Sequence, residues 1–77
     1  MPIDYILNKE FLPVYGDNIR RIRTNRNLSQ SQLAFEVGTT IRQIQRIEKG
    51  EINAGILYYR SIAEILEGEL IEIIRSK

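Results

Sequence analysis

The 77-residue sequence contains no cysteine and no histidine. Without cysteine it can form neither a disulfide nor a thiolate zinc site, which are the usual staples of very small domains. Histidine is the most frequent general base and metal ligand, so its absence removes the commonest parts of an active site. We therefore expect a protein that is not an enzyme and that carries no cofactor or metal.

The sequence also lacks a long hydrophobic run. No apolar stretch approaches the roughly 20 residues that a membrane-spanning helix requires. The first residues, MPIDYIL, carry an acidic residue where a signal peptide would carry basic ones. A chain that is 43% hydrophobic and 27% charged has the composition of a globular domain. The sequence thus predicts a single cytoplasmic domain with no membrane partner.

The charged residues are unevenly distributed along the chain. Residues 18–50 contain seven basic and two acidic residues, whereas residues 1–17 and 51–77 each have a net charge of −2. A basic middle between acidic ends is typical of a protein that binds a polyanion with one face. Arginines on exposed helices also serve solubility alone, so the charge pattern by itself leaves both interpretations open.

Glycines divide the chain into segments that predict short helices, and the expected fold class is all-α, with about five helices in a compact bundle. Residues 1–12 follow no clean period and are interpreted as an N-terminal arm. We expect Pro13 to separate this arm from a domain over residues 13–77, whose first helix runs to Arg26. A fourth helix is expected from Gly55 to Leu66, followed by a short last one.

The segment from Ser29 to Gly50 has the pattern of two short helices joined by a tight turn. Ser29 and Gln32 have the spacing of a capping box, and Gly38 is suited to end that helix in a left-handed conformation. The same spacing starts again at Thr40, which predicts a second capping box. Together these features predict a helical corner.

This corner resembles a known family. Residues 19–53, IRRIRTNRNLSQSQLAFEVGTTIRQIQRIEKGEIN, are similar to the helix-turn-helix of the phage repressor/Cro type, also called the xenobiotic-response-element family. The match includes Ser29-Gln30 at the start of one helix, the small Ala34 where two helices cross, and Gly38 in the turn. It implies a lambda-repressor-like DNA-binding domain, in which the second helix of the pair lies in the major groove.

The outward face of that second helix supplies the candidate base-reading residues. Ile44 and Ile47 are expected to face the core, which leaves a largely polar and basic set facing outward. Arginine can bind guanine through two hydrogen bonds, and an apolar side chain can contact a thymine methyl group. The base-reading candidates are Ile41, Arg42, Gln45 and Arg46.

The candidate phosphate contacts lie mainly at helix ends, where free backbone N–H groups favour an anion. The resemblance implies that Gln30 touches phosphate and also braces the reading helix, and that Asn53 contacts the DNA backbone. Helix capping is a sufficient structural role for several of these residues. The phosphate-contact candidates are Gln30, Thr40, Gln43, Lys49 and Asn53.

Two further charged residues have a structural interpretation. In relatives, an arginine and a glutamate at the positions of Arg23 and Glu48 form a partly buried ion pair between the first and third helices. The resemblance therefore implies that this pair holds the corner in place rather than reading DNA.

The sequence departs from the family in its apolar surface. Ile52 and Ala54 lie where relatives often have a basic residue and proline, and Phe35 lies on the outer side of the second helix, where a polar residue is usual. Leu57 and Tyr58 extend the apolar surface of the fourth helix beyond one face. We expect the arm of residues 1–12 to pack near Phe35 or the fourth helix.

The last helix is apolar on more than one side, which favours a two-fold homodimer, as in dimers of this family. Its reading helices would then lie about 34 Å apart, matching a palindromic operator. A monomer with an apolar C-terminal cap is the alternative. The interface candidates are Leu57, Tyr58, Leu70, Ile71, Ile73 and Ile74.

The function expected from these features is sequence-specific binding of double-stranded DNA by a homodimeric transcription regulator. A restriction–modification controller, a prophage repressor and an antitoxin share this reading head, and the sequence does not separate them. No small-molecule ligand is expected, because no effector domain follows Leu66. A protein–protein interaction module that has kept the corner's packing without reading DNA is the alternative from another class.

Overall fold

The computed structural model describes the chain from residue 9 to residue 75. Over these residues the fold is all-α and contains no strand, which confirms the expected class. A single 3-10 turn, Lys9–Phe11, leads into five α-helices. These are α1 (Leu12–Asn25), α2 (Gln30–Val37), α3 (Ile41–Glu48), α4 (Ile56–Ile65) and α5 (Leu70–Ile74).

The first helix begins earlier than the sequence predicts. It starts at Leu12, and Pro13 lies in its first turn instead of separating it from the arm. Proline is tolerated there because the missing N–H has no intrahelical partner in any case. Leu12, which the sequence pattern places in the arm, belongs to the buried core. The expected packing of the arm on Phe35 or α4 falls largely on residues 1–8, which lie outside the described residues.

The first four helices end in the same way. Each is followed by one residue with a positive φ angle, which lets the next N–H groups bond back to the last carbonyls of the helix. In α3, the N–H of Glu51 donates to the carbonyl of Arg46 and the N–H of Gly50 donates to that of Ile47. The positive-φ residues that follow these four helices are Asn27, Gly38, Gly50 and Glu67, and a fifth, Gly55, precedes α4.

The predicted helix starts are partly confirmed. At α2 the Ser29 hydroxyl accepts a hydrogen bond from the N–H of Gln32, and the Gln32 side chain accepts one from the N–H of Ser29. This is the complete capping box. At α3 the Thr40 hydroxyl accepts from the N–H of Gln43, but the reciprocal bond is absent from the described structure. The second capping box is therefore only half formed.

The core is formed by one apolar face from each helix. Tyr15 of α1 and Tyr59 of α4 meet edge to face at its centre, with 5.5 Å between ring centroids. Ile73 and Ile74 of α5 close the far side of this core. The fully or nearly fully buried apolar residues are Leu12, Tyr15, Ile19, Leu33, Ala34, Ile44, Ile47, Tyr59, Ile62, Ala63, Leu66, Ile73 and Ile74.

Helix α1 is the longest helix of the described residues. It packs against α3 on one side and α5 on another, while α2 packs against α3 and α4. Its approach to the end of α3 is close, because a Cβ atom at Gly16 would collide with the backbone carbonyls of Ile47 and Glu48. Glycine at this position allows the two helices to cross in contact.

Polar bonds fix α1 to the C-terminal part of the chain. The buried Asn18 amide donates to the backbone carbonyls of Ile73 and Arg75, at 2.7 and 2.8 Å. Arg26 donates to the carbonyl of Leu66 at 2.6 Å and forms an ion pair with Glu67. These bonds hold α5 and the end of α4 against α1. Among the described residues, no helix is long and apolar enough to cross a membrane.

Candidate nucleic-acid interface

The corner of α2 and α3 is built around a small side chain. Ala34 of α2 is 2% exposed, and Leu33 beside it is fully buried. Ile44 and Ile47 of α3 are also buried, so α3 rests its apolar face on α1 and α2. The corner therefore presents the other face of α3 to solvent.

That outward face carries the predicted base-reading residues. Ile41 is 45% exposed, which is unusual for an isoleucine. The polar members of the set lie on the same side of α3, opposite Ile44 and Ile47, and all of them are exposed. The structure thus brings together Ile41, Arg42, Gln45, Arg46 and Lys49 as one solvent-facing surface.

The two arginines of this surface differ in their contacts. Arg42 makes no ion pair or hydrogen bond within the described part of the chain, so its guanidinium is available to a ligand. Arg46 lies 3.8 Å from a carboxylate oxygen of Glu51, measured from its Nε atom. Both side chains are about half exposed, and the distance exceeds that of a hydrogen bond.

A buried ion pair lies directly behind this surface. Arg23 of α1 donates from Nε to Oε2 of Glu48 at 2.7 Å and from a terminal nitrogen to Oε1 at 3.1 Å. A third hydrogen bond connects Arg23 to the carbonyl of Leu28. The pair therefore joins α1, the end of α3 and the loop before α2, which is the structural role that the resemblance implied.

Gln30 extends this network to the exposed face of α3. Its side-chain amide donates to Oε1 of Glu48 at 3.0 Å, and its carbonyl oxygen lies 3.5 Å from the amide nitrogen of Gln45. The first contact is a normal hydrogen bond and the second is a weak one. Gln30 thus links the buried carboxylate of α3 to a base-reading candidate on the same helix.

The remaining phosphate candidates occupy the edges of the surface. Thr40 caps α3, and the half-buried Gln43 lies in its first turn. Asn53 lies in the loop after α3, where its side-chain oxygen accepts a hydrogen bond from the N–H of Gly55 at 3.0 Å. Its amide nitrogen makes no hydrogen bond within the described part of the chain and can donate to a ligand.

Tyr59 of α4 holds the loop that carries Asn53. The N–H of Ala54 donates to the hydroxyl of Tyr59 at 3.4 Å. Burial raises the pKa of Tyr59 above its usual value, and the hydrogen bond from Ala54 offsets this only in part. The hydroxyl is therefore neutral at physiological pH and adds no charge near the loop.

A family model described as "Helix-turn-helix" matches residues 19–73, which is most of the chain. The chain belongs to the helix-turn-helix family. The resemblance seen in the sequence is confirmed, and the protein is a DNA-binding regulator of the xenobiotic-response-element type.

A solved structure is also similar to this chain. It is the restriction-modification controller protein C.AhdI from Aeromonas hydrophila, with a TM-score of 0.80 and 29% sequence identity. The match covers 84% of this chain and 94% of that one. No curated protein matches the chain significantly. Within the helix-turn-helix family, α3 has the position of the recognition helix.

The structure corrects part of the predicted dimer surface of this helix-turn-helix protein. Ile73 is fully buried and Ile74 is 4% exposed within the single chain, because α5 turns both side chains towards α1 and the core. They are not available to a partner. Leu57 and Ile71 are exposed, and Tyr58 and Leu70 are half-buried.

The contacts of two further residues, Asn18 and Glu51, are not predicted from the sequence. Asn18 fixes α5 through backbone carbonyls, and no sequence motif indicates a bond of this kind. Glu51 lies beside Arg46, and here a signal is present. A helix closed by Gly50 in a left-handed conformation places the next residue over the last turn, so Glu51 could have been assigned as a neighbour of Arg46.

Proposed function

We propose that this helix-turn-helix protein binds double-stranded DNA in a sequence-specific manner as a homodimer and regulates transcription in the cytoplasm. The observation that carries the proposal is the exposed face of α3, which is held rigidly from behind by Arg23, Glu48 and Gln30. A reading helix whose supporting side chains are already bonded needs little ordering when it binds.

Base reading is assigned to four residues. Arg42 and Arg46 are one helical turn apart, and either can donate two hydrogen bonds to O6 and N7 of guanine. Gln45 has the donor and acceptor that adenine requires. Ile41 lies at the first position of α3, where a side chain can contact a thymine methyl group.

Backbone binding is assigned to the residues around this face. Gln30 and Gln43 lie in the first turns of α2 and α3, where unpaired N–H groups and the helix dipole favour phosphate. Thr40, Lys49 and the amide of Asn53 complete the set. These contacts would set the register of the protein on DNA without reading sequence.

The proposed dimer uses the apolar surface that the core leaves accessible. Leu57 is 77% exposed and Ile71 is 49% exposed, and the half-buried Tyr58 and Leu70 lie on the same two helices. A two-fold interface through this surface makes the bundle from Leu12 onwards the DNA-binding domain and α5 its dimerisation helix. Half-sites about 10 base pairs apart in a palindrome follow from such symmetry.

The likeness to a restriction-modification controller supports an autoregulatory role of this type more than it supports a prophage repressor or an antitoxin. Repression requires only that the bound dimer blocks the polymerase, and a domain of this size can do so. This assignment depends on the DNA-reading function and is tested by what lies next to the selected sites in the genome.

The function is tested by selecting binding sites from random duplex DNA with the purified protein. A palindromic consensus with half-sites about 10 base pairs apart supports both reading and symmetry. The variant Arg42→Ala should lose about 1–3 kcal/mol of binding free energy and relax the preference at one base pair. Arg60→Ala, which removes an equal charge from an exposed arginine of α4, is the matched control.

Two results of the selection experiment would contradict the proposed function or the assignment of α3. If no duplex is enriched at about 50 mM salt, the proposed function is wrong, and the exposed Phe35 and Leu57 become the surface of a protein-interaction module. If sites are enriched but Arg42→Ala and Arg46→Ala both leave the consensus intact, α3 is not the reading helix.

A further inference from the structure

Glu51 is an acidic residue at the edge of the proposed DNA-binding surface. It follows the α3 terminus, and its carboxylate lies 3.8 Å from Nε of Arg46. The face of α3 that precedes it is polar and basic, at Gln45, Arg46 and Lys49. The loop after α3 has no basic residue between Gly50 and Gly55. A carboxylate beside a polyanion weakens binding, so its position needs a reason.

The position of Glu51 is set by the backbone. Gly50 has a φ of 74°, and the N–H of Glu51 donates to the carbonyl of Arg46 at 2.9 Å. In this type of helix terminus the residue after the left-handed one contacts the last turn of the helix, usually through apolar side chains. Here the contact is between opposite charges. The carboxylate is thus directed to Arg46 by the terminus itself.

On the basis of the proposed function, we infer that Glu51 determines specificity by occupying Arg46 whenever no correct base is present. On a non-cognate duplex, Glu51 competes with phosphate for Arg46, so Arg46 neutralises less phosphate charge than a free arginine would. At the cognate site, two hydrogen bonds to guanine replace the ion pair and release the arginine. Glu51 therefore lowers non-specific affinity more than specific affinity.

The strength of the pair suits this role. Both side chains are about half exposed, and exposed ion pairs are weak and screened by salt. A guanine contact is stronger than such a pair and can displace it, whereas a single screened phosphate contact is of similar strength. A buried pair, like that of Arg23 and Glu48, could not be released in this way.

The inference is tested with Glu51→Gln, using Glu64→Gln as the matched control. Glu64 is an exposed glutamate that also pairs with an arginine, Arg60, but it lies on α4. Affinity is measured for the selected site and for a scrambled duplex between about 50 and 200 mM salt. Glu51→Gln should bind the scrambled duplex about two- to five-fold more tightly at about 0.1 M salt, with a smaller gain at the selected site.

The salt dependence gives a second readout that a structural role would not change. Because Arg46 becomes free to neutralise phosphate, the slope of log affinity against log salt for scrambled DNA should become steeper, by at most about 0.9. This increase should disappear in the double variant Arg46→Ala/Glu51→Gln. The thermal midpoint of Glu51→Gln should match that of Glu64→Gln, since the backbone bond of residue 51 is retained.

The outcomes separate the two proposals. If the unmodified protein binds both duplexes and Glu51→Gln behaves like Glu64→Gln in affinity and slope, the role of Glu51 is wrong and the DNA-reading function stands. The role of Glu51 is equally wrong if the gain in affinity persists without Arg46. If the unmodified protein binds no duplex at all, both proposals are overturned.

Discussion

At the level of single residues, Glu48 is the hydrogen-bond acceptor that holds the helical corner together. Its two oxygens accept hydrogen bonds from Arg23 and from Gln30, and its side chain is almost completely buried. A buried carboxylate is costly unless every lone pair has a partner. The surrounding donors satisfy it, and in doing so they connect α1, α2 and α3 at one point.

The first prediction concerns this pair. Arg23→Met should destabilise the protein by about 3–5 kcal/mol, because it leaves the buried carboxylate of Glu48 without its main donor. The double variant Arg23→Met/Glu48→Leu should lose clearly less than the sum of the two single variants, since it removes both charges. Urea unfolding of all four proteins, with sucrose added to keep the weakest folded, measures the coupling.

Additive losses in this cycle would show that the two side chains do not depend on each other. Arg20→Met is a suitable control, because Arg20 forms an exposed ion pair with Asp17. Loss of that pair should change stability by less than about 1 kcal/mol.

The sequence could predict some of these residues and not others. The link between Arg23 and Glu48 came from resemblance, since a separation of 25 positions carries no local signal. The outward positions of Arg42 and Arg46 followed from helical periodicity, because Ile44 and Ile47 must face the core. The bonds of Asn18 to two backbone carbonyls could not be predicted, because they depend on where α5 docks.

At the level of helices, the two glycines that end α2 and α3 have different surroundings. Gly38 and Gly50 both have positive φ angles and both end a helix of the corner. A Cβ atom at Gly38 would meet nothing within 4 Å, whereas one at Gly50 would lie 2.6 Å from the nitrogen of Pro13. Gly50 therefore also permits the start of α1 to lie against the end of α3.

The second prediction compares these two glycines. Gly38→Ala should cost about 1–2 kcal/mol, which is the penalty of a left-handed conformation for alanine. Gly50→Ala should cost clearly more, because the added carbon also displaces the backbone at Pro13. Chemical unfolding of the two variants gives the difference. Equal losses would mean that α1 and the α3 terminus can separate without cost.

The helix boundaries show where local rules are sufficient. The capping box at Ser29 and the termination at Gly38 are predicted correctly, because both depend only on neighbouring residues. The prediction of a boundary at Pro13 is wrong, because proline is as well suited to the first turn of a helix as to the residue before it. The burial of Leu12 in the core, which is a tertiary effect, decides that Pro13 lies inside the helix and not before it.

At the level of the whole molecule, α5 shows how a short helix can mislead. Its five residues include four apolar ones, so sequence periodicity could not tell the core side from the exposed side. The structure directs Ile73 and Ile74 inward and leaves Ile71 about half exposed. The surface that remains for a proposed partner is therefore smaller than the sequence indicated, and it depends more on Leu57 of α4.

The length of α1 and the number of its bonds to other parts of the chain have a consequence for local opening. Helix α1 packs against α3 and α5, bonds to the end of α4 through Arg26, and bonds to α2's preceding loop through Arg23. Helix α1 cannot detach without breaking these contacts and exposing the fully buried Tyr15 and Ile19. Its amide hydrogens should therefore exchange with solvent only when the entire domain unfolds.

Native-state hydrogen exchange tests this directly. The amides of Ile19 and Ile22 should exchange with the free energy of global unfolding measured in urea, whereas those of α5 should exchange through openings of lower free energy. Stronger protection in any other helix would contradict this expectation. If the expectation holds, the slowest-exchanging protons of the protein belong to a helix that reads no base. The recognition helix α3 is then kept rigid by its packing on α1.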